Sequence, residues 1–179
     1  MTSNTRLPLR LLVADPSSKF QLGFSEQGAA LLAGFSGVQT QASARGLIIY
    51  AVAERDLSWA VAMLQSAFPV LDIGAIEVVY LDQGEMEPYV RVNVTTPEDY
   101  YGFVIAQLNE RYGSIESLED TDGHLKTVSA TAPLAKMLGY DKVLAETTRN
   151  SATVEYIFVD YRPVQSQSPE PPRRPAARA

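Results

Sequence analysis

The chain has no cysteine and a single histidine in 179 residues. The first absence excludes disulfides, thiolate zinc sites and cysteine nucleophiles, and the second leaves little basis for imidazole-rich metal or triad chemistry. No glycine precedes a lysine, so the phosphate-cradling G-x-x-x-x-G-K-[ST] loop does not occur and no nucleotide site is expected. No apolar run approaches a membrane span. The polar start Met1–Arg6 runs into Leu7-Pro8-Leu9-Arg10-Leu11-Leu12, which is too short for a signal sequence. A cytoplasmic protein without membrane contact, cofactor, metal or catalytic residues is expected.

Positive charge is also scarce. The net charge is −6, residues 7–86 carry four basic and eight acidic side chains, and residues 87–164 carry seven and twelve. Nonspecific nucleic-acid binding needs a surplus of Lys and Arg on some face, and only the two ends of the sequence are positive. Hydrophobic residues at 46 % and aromatics at 9 % are enough for two modest cores.

Leu9 to Val13 is an apolar run ending at the turn formers Asp15-Pro16-Ser17-Ser18, which predicts a strand. A helix follows from Gln21 to Phe35, with Phe24, Ala29, Leu31, Leu32 and Phe35 loosely on one face and Gly28 as a weak point. Val38–Ala42 and Gly46–Ala53 flank a turn and predict a hairpin. Asp56 is placed to cap the next helix, where Leu57, Ala60, Val61, Leu64 and Phe68 recur at three- and four-residue intervals until Pro69 stops it. Val70 to Leu81 closes the unit as a strand, with a kink expected at Gly74.

The second half repeats the order. Tyr89 to Thr95 alternates strictly, turning Val90, Val92 and Val94 to a core. Thr96-Pro97-Glu98-Asp99 reads as a Thr N-cap, a first-position proline and acids favoured by the helix dipole, and the helix is expected to run to Tyr112 and stop at Gly113. Ile115–Glu119 and Leu125–Thr131 form a hairpin around Asp120-Thr121-Asp122-Gly123. Pro133 opens a helix to about Thr148, broken near Gly139-Tyr140, and Thr153–Tyr161 is the last strand.

The pattern is βαββαβ twice: an α+β chain of two tandem ferredoxin-like domains, each a four-stranded antiparallel sheet with two helices on one face. The expected boundaries are a tail at 1–6, domains at 7–82 and 87–164, a short linker at 83–86, and a Pro- and Arg-rich tail at 165–179. The last segment lacks the composition for a core and reads as disordered.

Glu87-Pro88, the strand after it, Thr96-Pro97-Glu98-Asp99-Tyr100, Gly102, Val104-Ile105, Leu108-Asn109, Gly113 and Ile115 resemble the opening of elongation factor G's final domain. Pro133 to Tyr140, then Leu144, Thr148, Ala152 and the strand from Phe158 to Tyr161, continue that resemblance in order and spacing. Residues 8–82 resemble the family's third domain, chiefly at Gly46-Leu47-Ile48-Ile49, Ala67-Phe68 and Val78-Val79-Tyr80. The resemblance implies ribosome contact, with large-subunit rRNA and stalk-base protein facing Asn109-Glu110-Arg111-Tyr112 and Thr148-Arg149-Asn150-Ser151. Both places depart from the family. A run of arginines is reduced to Arg111 beside Glu110, and a usual Gly-Arg pair is replaced by Asn150-Ser151 with Arg149 ahead of it.

Candidate RNA-contacting residues are therefore Arg111, Tyr112, Tyr140, Lys142, Arg149, Asn150 and Ser151. The competing reading makes the cations solvated partners of helix ends and the tyrosines capping or half-buried aromatics. The acids Glu116, Glu119, Asp120 and Asp122 beside His124 lack the spacing of a calcium loop and read as a solvated turn. Trp59 is core or interface. Two functions stay open: a translation-associated protein at the elongation-factor site that hydrolyses nothing, or a protein-interaction or self-association module that kept the fold and lost the ribosome. A continuous positive strip through Arg111, Lys142 and Arg149 favours the first; interruption by Glu110, Asp141 or Glu146 favours the second.

Overall fold

A computed structural model describes residues 7–121 and 123–164. Its two sheets remain separate, and each has the strand order of a ferredoxin-like unit. In the first, β1 (Leu9–Ala14) lies between β3 (Gly46–Ala51) and two short pieces, β4 (Asp72–Ile73) and β5 (Glu77–Val78), with β2 (Val38–Ser43) at the far edge. In the second, β6 (Met86–Pro97) lies between β8 (Leu125–Pro133) and β9 (Thr153–Pro163), with β7 (Ser114–Thr121) at the edge. The first sheet carries α1 (Gln21–Leu32) and α2 (Glu54–Ala67); the second carries α3 (Glu98–Glu110), the short α4 (Leu134–Met137) and α5 (Tyr140–Thr148).

Alternation in β6 turns Val90, Val92 and Val94 into a fully buried row, and Val128, Ala130 and Ala132 of β8 complete it beneath Val104 and Leu108 of α3. Each valine withdrawn from water this way contributes on the order of 2 kcal/mol. In the first lobe, Leu57, Ala60 and Leu64 of α2 are buried against Leu9, Leu11 and Val13 of β1 and Leu47 and Ile49 of β3.

Several local expectations change. Helix α1 ends at Leu32 rather than Phe35, and Leu31 points outward at 47 % exposure. Gly28 is a contact rather than a weak point: a Cβ there would sit 2.9 Å from a methyl of Leu47, so the small residue lets the helix lie close on the sheet. Phe35 instead stacks on Trp59 at 3.9 Å between ring centroids, and Trp59 stays 42 % exposed. Helix α2 begins at Glu54, so Asp56 lies inside its first turn and caps nothing. Strand β6 runs through Thr96 to Pro97, and Pro97 is the N-cap; Thr96 stays in register opposite Lys126, so it is a strand residue and not a cap.

The kink near Gly74 is a complete interruption. The register of β1 slips by one residue between its β4 and β5 pairings, and the Gly74 N–H donates to the Leu12 carbonyl at 2.9 Å within the gap. The short segment at 83–86 folds back on itself. Leu81 and Met86 pair backbone to backbone around a 3-10 turn at Asp82–Gly84. The two lobes also touch: Arg55 Nη1 donates to the Val154 carbonyl at 2.5 Å, and Leu9 and Val52 of the first lobe face Met137, Leu138 and Tyr156 of the second. The expectation of a disordered tail at 165–179 lies outside the described residues.

Candidate functional site

The candidate residues lie at the two ends of α5. Its Tyr140, Leu144 and Thr148 are buried, which fixes the opposite face outward. Lys142, Glu146 and Arg149 form that outer stripe at helical spacing, so the two cations are separated by a carboxylate.

At the end of α5 the chain turns through two left-handed residues, Arg149 (φ 54°) and Asn150 (φ 60°). The Asn150 N–H donates to the Ala145 carbonyl at 2.8 Å, the Ser151 N–H and hydroxyl both reach the Thr148 carbonyl at 3.0 and 2.5 Å, and the buried Thr148 hydroxyl donates to Leu144 O at 2.7 Å. A non-glycine residue in this region costs roughly 1–2 kcal/mol, with asparagine the better tolerated. The closed loop offsets that cost and leaves Arg149 and Asn150 exposed on a fixed backbone.

The other end differs from expectation. Helix α3 ends at Glu110 rather than Tyr112: Arg111 is its C-cap, and the residue after it, Tyr112, is left-handed (φ 61°). Gly113 is needed for closeness: a Cβ there would lie 2.8 Å from the Leu108 carbonyl oxygen. Arg111 Nη1 donates to the Lys136 carbonyl at 2.6 Å and lies 3.5 Å from that of Leu138, while its guanidinium sits 5.1 Å from the centre of the Tyr140 ring. Arg111 thus binds α4 to α3. Tyr140 is fully buried beneath it, its phenol pushed up to about 12 chiefly by burial, so its ring has no face for a base and it leaves the candidate set. Tyr112 is 56 % exposed, with Lys136 Nζ 5.1 Å from its ring centre. Arg111 and Arg149 are separated by the nine-residue α5, about 13 Å of helix, so the candidates form two places rather than one.

The acidic hairpin is tied up in pairs. Glu116 accepts hydrogen bonds from the Thr131 hydroxyl and from Arg91 Nε at 2.9 Å; the threonine bond, then the arginine, hold its carboxyl below the usual range. Asp120 accepts from Lys126 Nζ at 2.7 Å, and the His124 carbonyl accepts the Glu98 N–H at 3.0 Å. Asp122 lies outside the described residues, and among those described no group of three or more His, Cys, Asp or Glu is arranged to hold a metal. No described helix is long and apolar enough to cross a membrane.

A feature missed in the sequence is an open groove of about 400 Å³ beside Tyr112, lined by Tyr80, Glu87, Tyr89, Pro133, Lys136 and Val164. Its tyrosines come from three separate segments. Only the return of β9 alongside β6 brings Val164 to them.

Residues 85–171 match the family model described as Elongation factor G C-terminus. Over 85 residues the chain is 40 % identical to elongation factor G of Fervidobacterium nodosum, 39 % to that of Thermotoga maritima and 41 % to that of Thermotoga petrophila. Each match spans 48 % of this chain and 12 % of the relative's length. A crystal structure of a Thermus thermophilus protein superposes with a TM-score of 0.60 at 15 % identity, covering 90 % of this chain and 42 % of the other, which shows the fold of both lobes together. The chain resembles elongation factor G, and the resemblance in sequence lies in that protein's C-terminal domain.

Proposed function

We propose that this protein is a cytoplasmic, translation-associated binding protein that uses its second lobe at or near the ribosomal site for elongation factors and hydrolyses no nucleotide itself. The observation that carries this reading is the Thr148–Ser151 loop, held rigid by its own hydrogen bonds with Arg149 and Asn150 presented to solvent, in a lobe whose sequence matches the C-terminal domain of elongation factor G. The partners would be large-subunit rRNA and protein at the stalk base. The first lobe would stand where elongation factor G has its third domain. Arg149, Asn150 and Ser151 are the contacts proposed, with Lys142 and Tyr112 at the margin and Arg111 as the brace that positions the α4–α5 segment. Sedimentation with ribosomes, comparing the natural chain with Arg149→Glu, tests the assignment.

One observation favours a second reading. Glu146 lies between Lys142 and Arg149 on the exposed stripe, which breaks the positive strip that phosphate contact would use. If the natural chain does not sediment with ribosomes, the module that binds a protein or itself is the better account.

A further inference from the structure

We propose that the proline- and arginine-rich segment 165–179 of this same chain docks into the tyrosine-lined groove beside Tyr112, a contact that does not depend on the ribosome. Three relations lead there. The first is position. Strand β9 ends at Pro163, and Val164, the last described residue before the segment, is itself part of the groove wall, fixed by its N–H donating to the Glu85 carbonyl at 2.8 Å. A few extended residues at about 3.3 Å each are enough to turn back along the groove.

The second relation is shape. Tyr80 and Tyr112, 42 % and 56 % exposed, make an aromatic channel with Pro133, while Tyr89 is buried beneath the Arg162 guanidinium and supplies its floor; a second hollow of about 450 Å³ shares Tyr89 and Tyr112 and continues to Thr131, Arg162 and Pro163. Aromatic-lined grooves recognise polyproline II ligands, because the preset backbone loses little entropy on docking. That helix has three residues per turn, and Pro169, Pro172 and Pro175 occur at that spacing, so a single face would carry all three.

The third relation is charge. The groove belongs to the second lobe, whose residues 87–164 carry twelve acids against seven bases, and the segment carries Arg173, Arg174 and Arg178 against the single acid Glu170; the walls themselves hold Glu87 beside Lys136, with Arg162 in the adjoining hollow, so the attraction is that of the lobe as a whole. A second copy supplying the segment in exchange, or attraction to the acidic surface without a seat in the groove, are the competing outcomes.

The absence of native cysteine permits a clean test on the full chain. A nitroxide attached at Ala176→Cys should reduce the amide signals of Tyr89, Tyr112 and Lys136 at least twofold relative to the reduced label. Pro169→Ser/Pro172→Ser/Pro175→Ser in that background, which leaves every groove residue untouched, should restore them, as should Tyr112→Ala. No loss of signal overturns the proposal, and so does a loss spread evenly over both lobes. Equal broadening of isotope-enriched, unlabelled protein by added spin-labelled protein assigns the contact to exchange between copies and also overturns it.

Discussion

The Glu54 carboxylate, at the start of α2 in the first lobe, accepts a hydrogen bond from the Gly139 backbone N–H of the second lobe at 2.5 Å. It reaches across the seam to the point where α4 gives way to α5, and Arg55 beside it binds the Val154 carbonyl of β9. Two adjacent residues of one lobe thus hold the start of α5 and the start of β9, on either side of Arg149 in the chain.

Glu54→Ala should lower stability by about 1 kcal/mol, because it leaves a charge-assisted bond unmade. In a thermal melt this corresponds to roughly 2–4 °C for a chain of this size. The double variant with Arg55→Ala should lose less than the sum of the two single losses if they act as one clamp, because either loss alone already forfeits the shared contribution. Strict additivity in that cycle would mean the two bonds are independent.

Arg111→Met should behave as a stability variant. Its guanidinium braces the carbonyls of the α4 region and covers Tyr140, so its loss should cost about 1–2 kcal/mol in denaturant unfolding. Arg111→Lys should not recover the whole amount, since an ammonium cannot reproduce the flat guanidinium over the ring. An Arg111→Met protein as stable as the natural one contradicts the bracing role.

Burial raises the Tyr140 phenol to about 12 from its ordinary 10.0, and Tyr156 is raised in the same direction by burial and by donating to Asp141 at 2.5 Å. Between pH 10 and 12 the unfolded chain releases a Tyr140 proton that the folded one keeps, so stability falls as pH rises, by about 3 kcal/mol from this group. Below pH 10 both states hold the proton and the effect vanishes. Tyr140→Phe should flatten that alkaline loss by about one proton in the slope of stability against pH. At neutral pH it should change stability by no more than about 1 kcal/mol, because the phenolic oxygen has no hydrogen-bond partner among the described residues. An unchanged alkaline slope would contradict this assignment.

Gly113→Ala should destabilise by roughly 1–3 kcal/mol, since the new methyl would meet the Leu108 carbonyl oxygen, a backbone atom fixed by the end of α3. Thermal melting of this variant beside Gly102→Ala, where nothing lies within 4 Å of the added carbon, measures the difference. Equal melting temperatures would contradict the close-contact role.

Period and punctuation made the fold legible. The alternating valines of β6 and the three- and four-residue recurrence in α2 each name their buried face without tertiary information, and both sheets follow from them. Capping was less legible. Thr96-Pro97 has the composition of a helix start, yet pairing of Thr96 with Lys126 keeps it in the strand, a long-range effect that local propensity does not contain. The same limit hid the site. Arg111 is occupied by carbonyls about 25 residues further on, and Tyr140 is buried by that same arginine, so neither fact is visible from residue type. The Thr148–Ser151 loop was legible because its residues close it with their own hydrogen bonds within a few positions.

Co-sedimentation with ribosomes at two salt concentrations is the most direct test. The natural chain should pellet at low salt and be released by a modest increase, since each phosphate contact adds about one to the slope of log affinity against log salt. Arg149→Glu should pellet severalfold less at low salt while melting at the natural temperature. Failure of the natural chain to pellet at low salt, or a salt series for Arg149→Glu identical to that of the natural chain, would contradict the account.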